Sequence, residues 1–162
     1  MKRTPDINDT IEKYGGTVFS VAVTHTRSRA DAEDVFQEVF IALCTKKREF
    51  KDDEHLKAWL IRTSLNLSRK CAGSAWQRKT VALEEATQED FSFHSDEQNA
   101  LFSALRELPE KYRRVVHMFY FLDMPTSEIA SVLHSREGTV RMQLSRAREM
   151  LKNILKEDFD YE

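Results

Sequence analysis

Glycine and proline are scarce in this chain, which has four glycines and three prolines among 162 residues. An average chain of this length carries about 19 of the two together. Hairpin turns and bulges depend on these residues, so their scarcity argues against a β-sandwich or a β-barrel. Charged residues make up 32% of the chain and hydrophobic residues 41%, a balance typical of helical proteins with a modest core. These features predict an all-α fold.

Three amphipathic helices are predicted in the first half, where apolar residues recur every three or four positions. Asp6 is expected to cap the first helix, in which Gly15 and Gly16 indicate a close helix approach or a kink. Ser28 is expected to cap a second helix over 29–46, and a third spans 53–71, after a charged loop. The predicted inward positions are Ile7, Ile11, Tyr14, Val18, Val21 and His25 in the first helix, Ala32, Val35, Phe36, Val39, Phe40 and Leu43 in the second, and Leu56, Trp59, Leu60, Thr63 and Leu67 in the third.

The helical periodicity disappears from Gly73 to position 95, where the chain turns from basic to acidic. Residues 1–79 carry a net charge of +4 and residues 80–100 a net charge of −6. We therefore predict a flexible linker over 73–95 between one domain at 1–72 and a second at 96–162. A coil of this length spans about 26 Å on average and about 75 Å when fully extended.

Four shorter helices are predicted in the second half. The first spans 96–107, and Pro109 suits the first position of the next. A two-turn helix over 127–133 precedes a last helix that Ser135 is expected to cap and that ends near position 155. Two helices joined by such a tight connection form a helix-turn-helix. The predicted inward positions are Leu101, Ala104, Leu105, Leu108, Tyr112, Val115, Val116, Phe119, Val140, Leu144, Ala147, Leu151 and Ile154.

The last helix is the strongest candidate for nucleic-acid binding. Its cations Arg136, Arg141, Arg146, Arg148 and Lys152 outnumber Glu137 and Glu149, for a net charge of +3. At 100° per residue, Arg141, Ser145 and Arg148 form one stripe, which we expect Thr139, Met142 and Arg146 to flank. Free backbone N–H groups near Thr139 are suited to a phosphate, and arginines to guanine edges. A solvated basic face is the plainer alternative, which the preceding short helix and turn make less favourable.

Two further surfaces carry polar patterns. The second helix presents carboxylates on its outer face, which repel DNA and therefore face solvent or dock on a basic protein. The third helix presents Asn66, Arg69 and Lys70, a mixture suited to single-stranded nucleic acid. Such sites add stacking aromatic rings, for which Phe50 and Trp76 are the candidates.

Catalysis, metal binding and membrane insertion find no support in the sequence. Cys44 and Cys71 lie 27 positions apart, and no histidine pairs with them at zinc-site spacing. There is no nucleophile motif or phosphate-binding glycine loop. No apolar run approaches the ~20 residues of a membrane span, and no signal peptide is recognisable. We expect a cytoplasmic protein that is not an enzyme and has no cofactor and no metal.

Two segments of the first half stand out, DAEDVFQEVF at 31–40 and LKAWLIRTSLN at 56–66. They resemble segments of bacterial RNA polymerase sigma factors of the extracytoplasmic-function group. The resemblance implies that the second helix binds the clamp helices of core RNA polymerase, and that the third helix with the loop at 46–55 recognises and melts the −10 promoter element. The implied polymerase-binding residues are Asp31, Asp34, Gln37 and Glu38, and the implied −10 residues are Lys57, Arg62, Asn66, Arg69 and Lys70.

The second half resembles the same family in LRELPEKYR at 105–113, EIA at 128–130, GTVR at 138–141 and SRAR at 145–148. It implies −35 recognition by Arg136, Thr139, Arg141, Met142, Ser145, Arg146 and Arg148. Pro125 departs from the usual serine cap, so the short helix is expected to start at Thr126 or Ser127. The polar stretch at 63–65 is also unusual for the family.

The resemblance therefore implies a promoter-specificity factor whose partners are core RNA polymerase, promoter DNA and an anti-sigma factor. A stand-alone helix-turn-helix regulator remains the alternative, although the acidic second helix and the missing dimerisation helix disfavour it. A helical interaction protein, such as an anti-sigma factor or a redox sensor using Cys44 and Cys71, is a further alternative.

Overall fold

The computed structural model describes residues 3–77 and 96–159. Within these ranges every regular element is a helix, apart from an isolated antiparallel bridge between Arg3 and Phe50. The chain divides into two compact units, Met1–Phe91 and Ser92–Glu162. The all-α prediction is confirmed. The predicted linker lies outside the described residues beyond position 77, and the domain limits at 72 and 96 stay predictions.

The first unit contains three long helices that pack on one another: α1 at Ile7–His25, α2 at Arg29–Lys46 and α3 at Asp53–Gln77. Both predicted caps are confirmed. The Asp9 N–H donates to Asp6 Oδ1 over 3.0 Å, and the Asp31 N–H donates to Ser28 Oγ over 3.1 Å. These bonds satisfy N–H groups that have no partner inside the helix. The starts of α1 and α2 are therefore encoded locally.

The core of the first unit follows the predicted periodicity closely in α1 and α2. Val18, Val21, Val35 and Val39 are almost fully buried, whereas Ile11 is 37% exposed and was wrongly placed inward. Gly15 is buried beside the Phe36 ring, 3.7 Å from where a Cβ would lie, which is an ordinary contact distance. The close approach therefore does not require glycine, and α1 runs through both glycines without a break.

Helix α3 differs from its prediction in length and in register. It continues to Gln77 rather than ending at 71, because Gly73 keeps a helical backbone without a positive φ. Its buried row includes Ile61, Ser64 and Ser68, while Thr63 and Leu67 lie half-buried at the edge. Ser64 is tolerated inside because its Oγ donates to the Leu60 carbonyl over 2.6 Å.

The second unit contains α4 at Asp96–Glu107, α5 at Glu110–Val116, a π-helical turn at His117–Phe121, α6 at Thr126–Leu133 and α7 at Glu137–Phe159. Pro109 occupies the N-cap of α5, one residue before its predicted place. The Arg113 guanidinium donates to the Leu108 carbonyl from Nε and Nη2 over 3.3 and 3.2 Å. These two bonds join α5 to the connection between α4 and α5. They give Arg113 a structural role in the LRELPEKYR segment.

Two further details of the second unit differ from the predictions, whereas the start of α6 lies within its predicted range. Leu101 is 38% exposed and Phe119 is only half-buried, so neither belongs to the core. Helix α6 begins at Thr126, with Pro125 as its N-cap. Helix α7 begins at Glu137, and the Val140 N–H donates to the Arg136 carbonyl, so Ser135 lies one residue too early to cap it.

The π-helical turn was not predicted. The Leu122 N–H donates to the His117 carbonyl over 3.1 Å, five residues back, which widens the turn and shifts the side chains that follow. His117 is buried and Tyr120 is about half exposed as a result. Burial lowers the pKa of the His117 imidazole to about 4, and this ring stacks on Phe121 at 5.6 Å.

Candidate nucleic-acid interface

The helix-turn-helix of α6 and α7 is held by one backbone turn and one side-chain bond. His134 takes a left-handed conformation with φ 52°, and the Ser135 N–H donates to the Ala130 carbonyl over 2.9 Å. Thr126 Oγ1 donates to Glu137 Oε1 over 2.8 Å, which joins the first residues of the two helices. The angle at which α7 leaves α6 is therefore set without a glycine in the turn.

Helix α7 buries one face and exposes the other. Val140, Leu144, Ala147 and Leu151 are buried, as predicted. On the exposed side, Met142 lies in the middle and is 45% exposed. Arg141, Ser145 and Arg148 occupy one flank, and Thr139 and Arg146 lie about 140–160° around the helix from Arg141. The predicted −35 residues therefore form a broad face with two basic flanks rather than one stripe with close neighbours.

The arginines of this face already have partners within the second unit. Arg141 Nη1 lies 3.2 Å from Glu137 Oε1, one helical turn earlier. The Arg148 guanidinium lies 5.9 Å from the centre of the Tyr120 ring. A hydrogen bond from the Arg146 guanidinium lowers the pKa of the Tyr112 hydroxyl. The contacts of Arg141 and Arg148 join exposed side chains and contribute only about 0.3–1 kcal/mol each, so they orient the cations without preventing them from binding an anion.

Tyr120 is a residue of this surface that the periodicity did not identify. The signal in the sequence was the aromatic run at 117–121, which does not follow a 3.6-residue repeat through the π-helical turn. Its ring is half exposed and contacts the guanidinium of Arg148, which belongs to the basic face.

Helix α3 carries the second candidate surface. Arg62, Asn66 and Arg69 lie within about 60° of one another around the helix, with Lys70 beside them. Lys57 lies nine residues before Asn66, which is two and a half turns, and therefore on the opposite side of the helix. The structure thus brings four of the five predicted −10 residues together and separates Lys57 from them.

Phe50 does not act as an exposed stacking ring, contrary to one expectation. It is 3% exposed and packs edge-on against Trp59 and His55, with ring centres 5.7 and 5.2 Å apart. Trp59 is itself in the core, as predicted. The side chain of Trp76, the other candidate, lies outside the described residues.

The outer face of α2 combines acidic and apolar side chains. Asp34, Gln37 and Glu38 are exposed and Asp31 is half-buried, all on one side of the helix. Ile41 lies on the same side, three residues after Glu38, and is 57% exposed. Ile41 therefore adds apolar area to this acidic face. Ile41 was not predicted as part of this face, since it belongs neither to the apolar stripe of the helix nor to its charged residues.

Two features are absent from the described part of the chain. No helix there is long and apolar enough to cross a membrane. No group of three or more histidine, cysteine, aspartate and glutamate side chains there is arranged to hold a metal ion.

Comparison with known families gives matches to both halves. The family Sigma-70 region 2 matches residues 10–79, and the family Sigma-70, region 4 matches residues 98–151. Together the two matches cover more than half of the chain.

Curated relatives match along most of their length. RNA polymerase sigma factor SigV of Bacillus subtilis is 26% identical over 148 residues, which cover 86% of this chain and 86% of the relative. ECF RNA polymerase sigma factor SigW of the same organism is 25% identical over 165 residues, covering 92% and 88%.

Two solved structures share the fold. CnrH in complex with the cytosolic domain of CnrY has a TM-score of 0.72 and 24% identity, covering 94% of this chain and 88% of that one. The sigma factor RpoE in complex with the anti-sigma factor NepR, from Bartonella quintana, has a TM-score of 0.70 and 20% identity, covering 92% and 96%. Both support the arrangement of helices described above.

Proposed function

Since this chain belongs to the sigma-70 family as a sigma factor of the extracytoplasmic-function group, we propose that it binds core RNA polymerase through α2 and directs it to promoters read by α3 and α7. The observation that carries the proposal is the presence of two oppositely charged faces on one chain. The acidic face lies in the stretch that matches region 2, and the basic face lies in the stretch that matches region 4.

The polymerase-binding surface is proposed to consist of Asp31, Asp34, Gln37 and Glu38 with Ile41 among them. Its carboxylates repel DNA phosphates and attract a basic protein surface, while Ile41 supplies apolar area that water covers in the free protein. A partner that is both basic and partly apolar fits this combination. Core polymerase, through its clamp helices, is the proposed partner.

The −35 element is proposed to be read by the exposed face of α7. Arg141 and Arg146 are long enough to reach base edges in a major groove that admits an α-helix, and Met142 between them offers apolar contact to a thymine methyl. Thr139 and Ser145 are suited to phosphate contacts. Arg136 and Arg148 add charge at the margins of this face.

The −10 element is proposed to be read by Arg62, Asn66, Arg69 and Lys70 of α3 together with the loop at 46–55. The four side chains share one face and combine amide and cationic groups, which suits a strand whose bases are unpaired. Lys57, on the other side of α3, is proposed to contact the DNA backbone only if the strand wraps around the helix.

An anti-sigma factor is proposed as a further partner. The two solved structures of similar fold are complexes, one with the cytosolic domain of CnrY and one with the anti-sigma factor NepR. An inhibitory protein that covers the acidic face of α2 or the aromatic surface at Tyr120 is the expected kind of partner.

Transcription with purified core polymerase on a library of randomised promoters tests the proposal. The expected result is initiation that depends on both proteins and on two short sequence elements upstream of the start site. Binding to duplex DNA by the chain alone, with no polymerase-dependent initiation, would instead support a stand-alone helix-turn-helix regulator.

A further inference from the structure

The loop that precedes α3 is held by residues far from it in the sequence. The N–H of Arg3 donates to the Phe50 carbonyl over 2.9 Å, and the N–H of Phe50 donates to the Arg3 carbonyl over 2.9 Å. This reciprocal pair is the isolated antiparallel bridge of the first unit. The chain segment before α1 is therefore paired with the stretch at 46–55, which consists of the loop at 47–52 and the adjoining ends of α2 and α3.

Helix α1 holds the end of the same loop. Lys13 forms an ion pair and hydrogen bond with Asp53, and the Tyr14 hydroxyl donates to the Asp53 carbonyl over 3.4 Å. The Asp53 carboxylate raises the pKa of the Lys13 amine, so this amine stays protonated at neutral pH. The loop is thus tied to the first helix at the residue where α3 begins.

Within the loop, two short-range bonds and one buried ring complete the arrangement. The N–H of Lys51 donates to His55 Nδ1 over 3.1 Å, and the N–H of His55 donates to Asp52 Oδ1 over 2.8 Å. Phe50 is the buried residue of the loop, whereas positions 46–49 and 51–54 are exposed.

A cleft of about 690 Å³ lies between the loop and the start of the chain, lined by Arg3, Asp9, Lys13 and Lys51 among others. Beside this cleft the loop is held by its bonds to the start of the chain and to α1, together with the buried Phe50 ring.

We propose that Arg3, Lys13 and Tyr14 form a clamp that positions the loop at 46–55 for promoter opening. They act through the loop and do not contact DNA. The inference rests on the proposed function of this loop at the −10 element. On a duplex promoter an ordered loop captures bases during their brief unpairing, whereas a released loop must first be ordered at an entropic cost and loses to re-pairing. On an unpaired template there is no re-pairing to compete with.

The test compares Arg3→Pro with Arg3→Ala. Proline removes the N–H that Phe50 accepts, whereas alanine removes the side chain and keeps both backbone bonds. With core polymerase, Arg3→Pro is expected to lower the rate of open-complex formation on a duplex promoter roughly five- to tenfold, the effect of one lost hydrogen bond. Arg3→Ala is expected to stay within about twofold of the wild type. On a promoter whose −10 region is already unpaired, both variants are expected to match the wild type.

A second pair of variants addresses the other contact. Lys13→Met removes the exposed ion pair with Asp53 and is expected to show a smaller loss, about twofold, confined to the duplex promoter, whereas Lys13→Arg keeps the charge and is expected to retain the wild-type rate. Equal losses on both templates would indicate general damage to the first unit and would overturn the clamp.

Amide hydrogen exchange of the free chain measures the loop directly. Arg3→Pro is expected to accelerate exchange over residues 46–55, and Arg3→Ala is not. Unchanged exchange in Arg3→Pro would overturn the clamp whatever transcription shows. If wild-type protein fails to initiate on either template, the proposed function falls, and exchange still decides whether the clamp exists.

Discussion

The two units expose their charged side chains in different ways. In the first unit, long helices of 18 to 25 residues carry Asp34, Glu38, Arg62 and Arg69 on open faces whose pattern follows from helical spacing. In the second unit, short helices and a π-helical turn bring aromatic rings against the basic helix, as between Tyr120 and Arg148. A charged surface can thus lie along one helix or combine side chains from several elements. Only the first kind appears in the sequence as a helical repeat.

The charged faces of α2 and α7 are also expected to bind their partners through different forces. The acidic face of α2 includes the exposed Ile41, so its binding is expected to depend on apolar contact as well as on charge. The face of α7 presents arginines that local contacts orient toward solvent, so its binding is expected to depend on phosphate charge and to weaken with salt.

The largest effect is expected from Arg141→Ala, which removes a predicted base-reading side chain from the second unit. We expect a loss of ~1–3 kcal/mol in promoter affinity and relaxed discrimination in the −35 element. The measurement is run-off transcription on promoters that vary at −35. Lys156→Ala removes the same charge from the far end of α7 and serves as the control. An unchanged promoter profile for Arg141→Ala would contradict the assignment.

Acidification should destabilise the second unit through His117. Its pKa is about 4 in the folded chain, below the ordinary value of about 6.5, so the unfolded chain binds an extra proton between these pH values. The stabilisation that neutral His117 contributes is therefore present above pH 6.5 and is lost as the pH falls toward 4. Between pH 7 and pH 5 the loss is about 2 kcal/mol.

Thermal unfolding of the wild type and of His117→Gln at both pH values isolates this contribution. The variant is expected to lose less stability than the wild type on acidification, because glutamine does not titrate. Parallel losses in the two proteins would show that His117 is not responsible.

The smallest effect is expected from Tyr120→Ala, which tests whether the Tyr120 ring in the π-helical turn orients the Arg148 side chain of α7. Loss of the ring that holds Arg148 is expected to weaken promoter binding by about 0.5–1 kcal/mol. Tyr120→Phe keeps a ring and is expected to retain most of the affinity. Equal losses in the two variants would assign the effect to the hydroxyl instead of the ring. A binding titration at constant salt measures the difference.

The fold was predictable where local signals agree. Ser28 and the apolar repeat after it predicted the full extent of α2, and Asp6 predicted the start of α1. Gly73 was taken as a helix end, but glycine in a helix costs only about 1 kcal/mol, so α3 continues past it. The π-helical turn was not predictable from periodicity, because it inserts a residue into the repeat.

The candidate site was predictable in composition more than in arrangement. The spacing placed Arg62, Asn66 and Arg69 on one face, but Lys57 was assigned to the same site although its spacing excludes it. Phe50 was a candidate stacking ring, yet its backbone pairs with Arg3 and its ring is buried against Trp59. That bridge joins residues 47 positions apart, and such a contact has no signature in local sequence.

The central claim is that the acidic face of α2 attaches the chain to core polymerase, and charge reversal tests it most directly. The measurement is the affinity of purified core polymerase for the Asp34→Lys/Glu38→Lys double variant, with Glu12→Lys, an exposed acid of α1, as the control. We expect the double variant to bind at least about tenfold more weakly, and the control to bind like the wild type. Undiminished attachment of the double variant would contradict the claim and leave a chain that binds DNA without the polymerase contact proposed here.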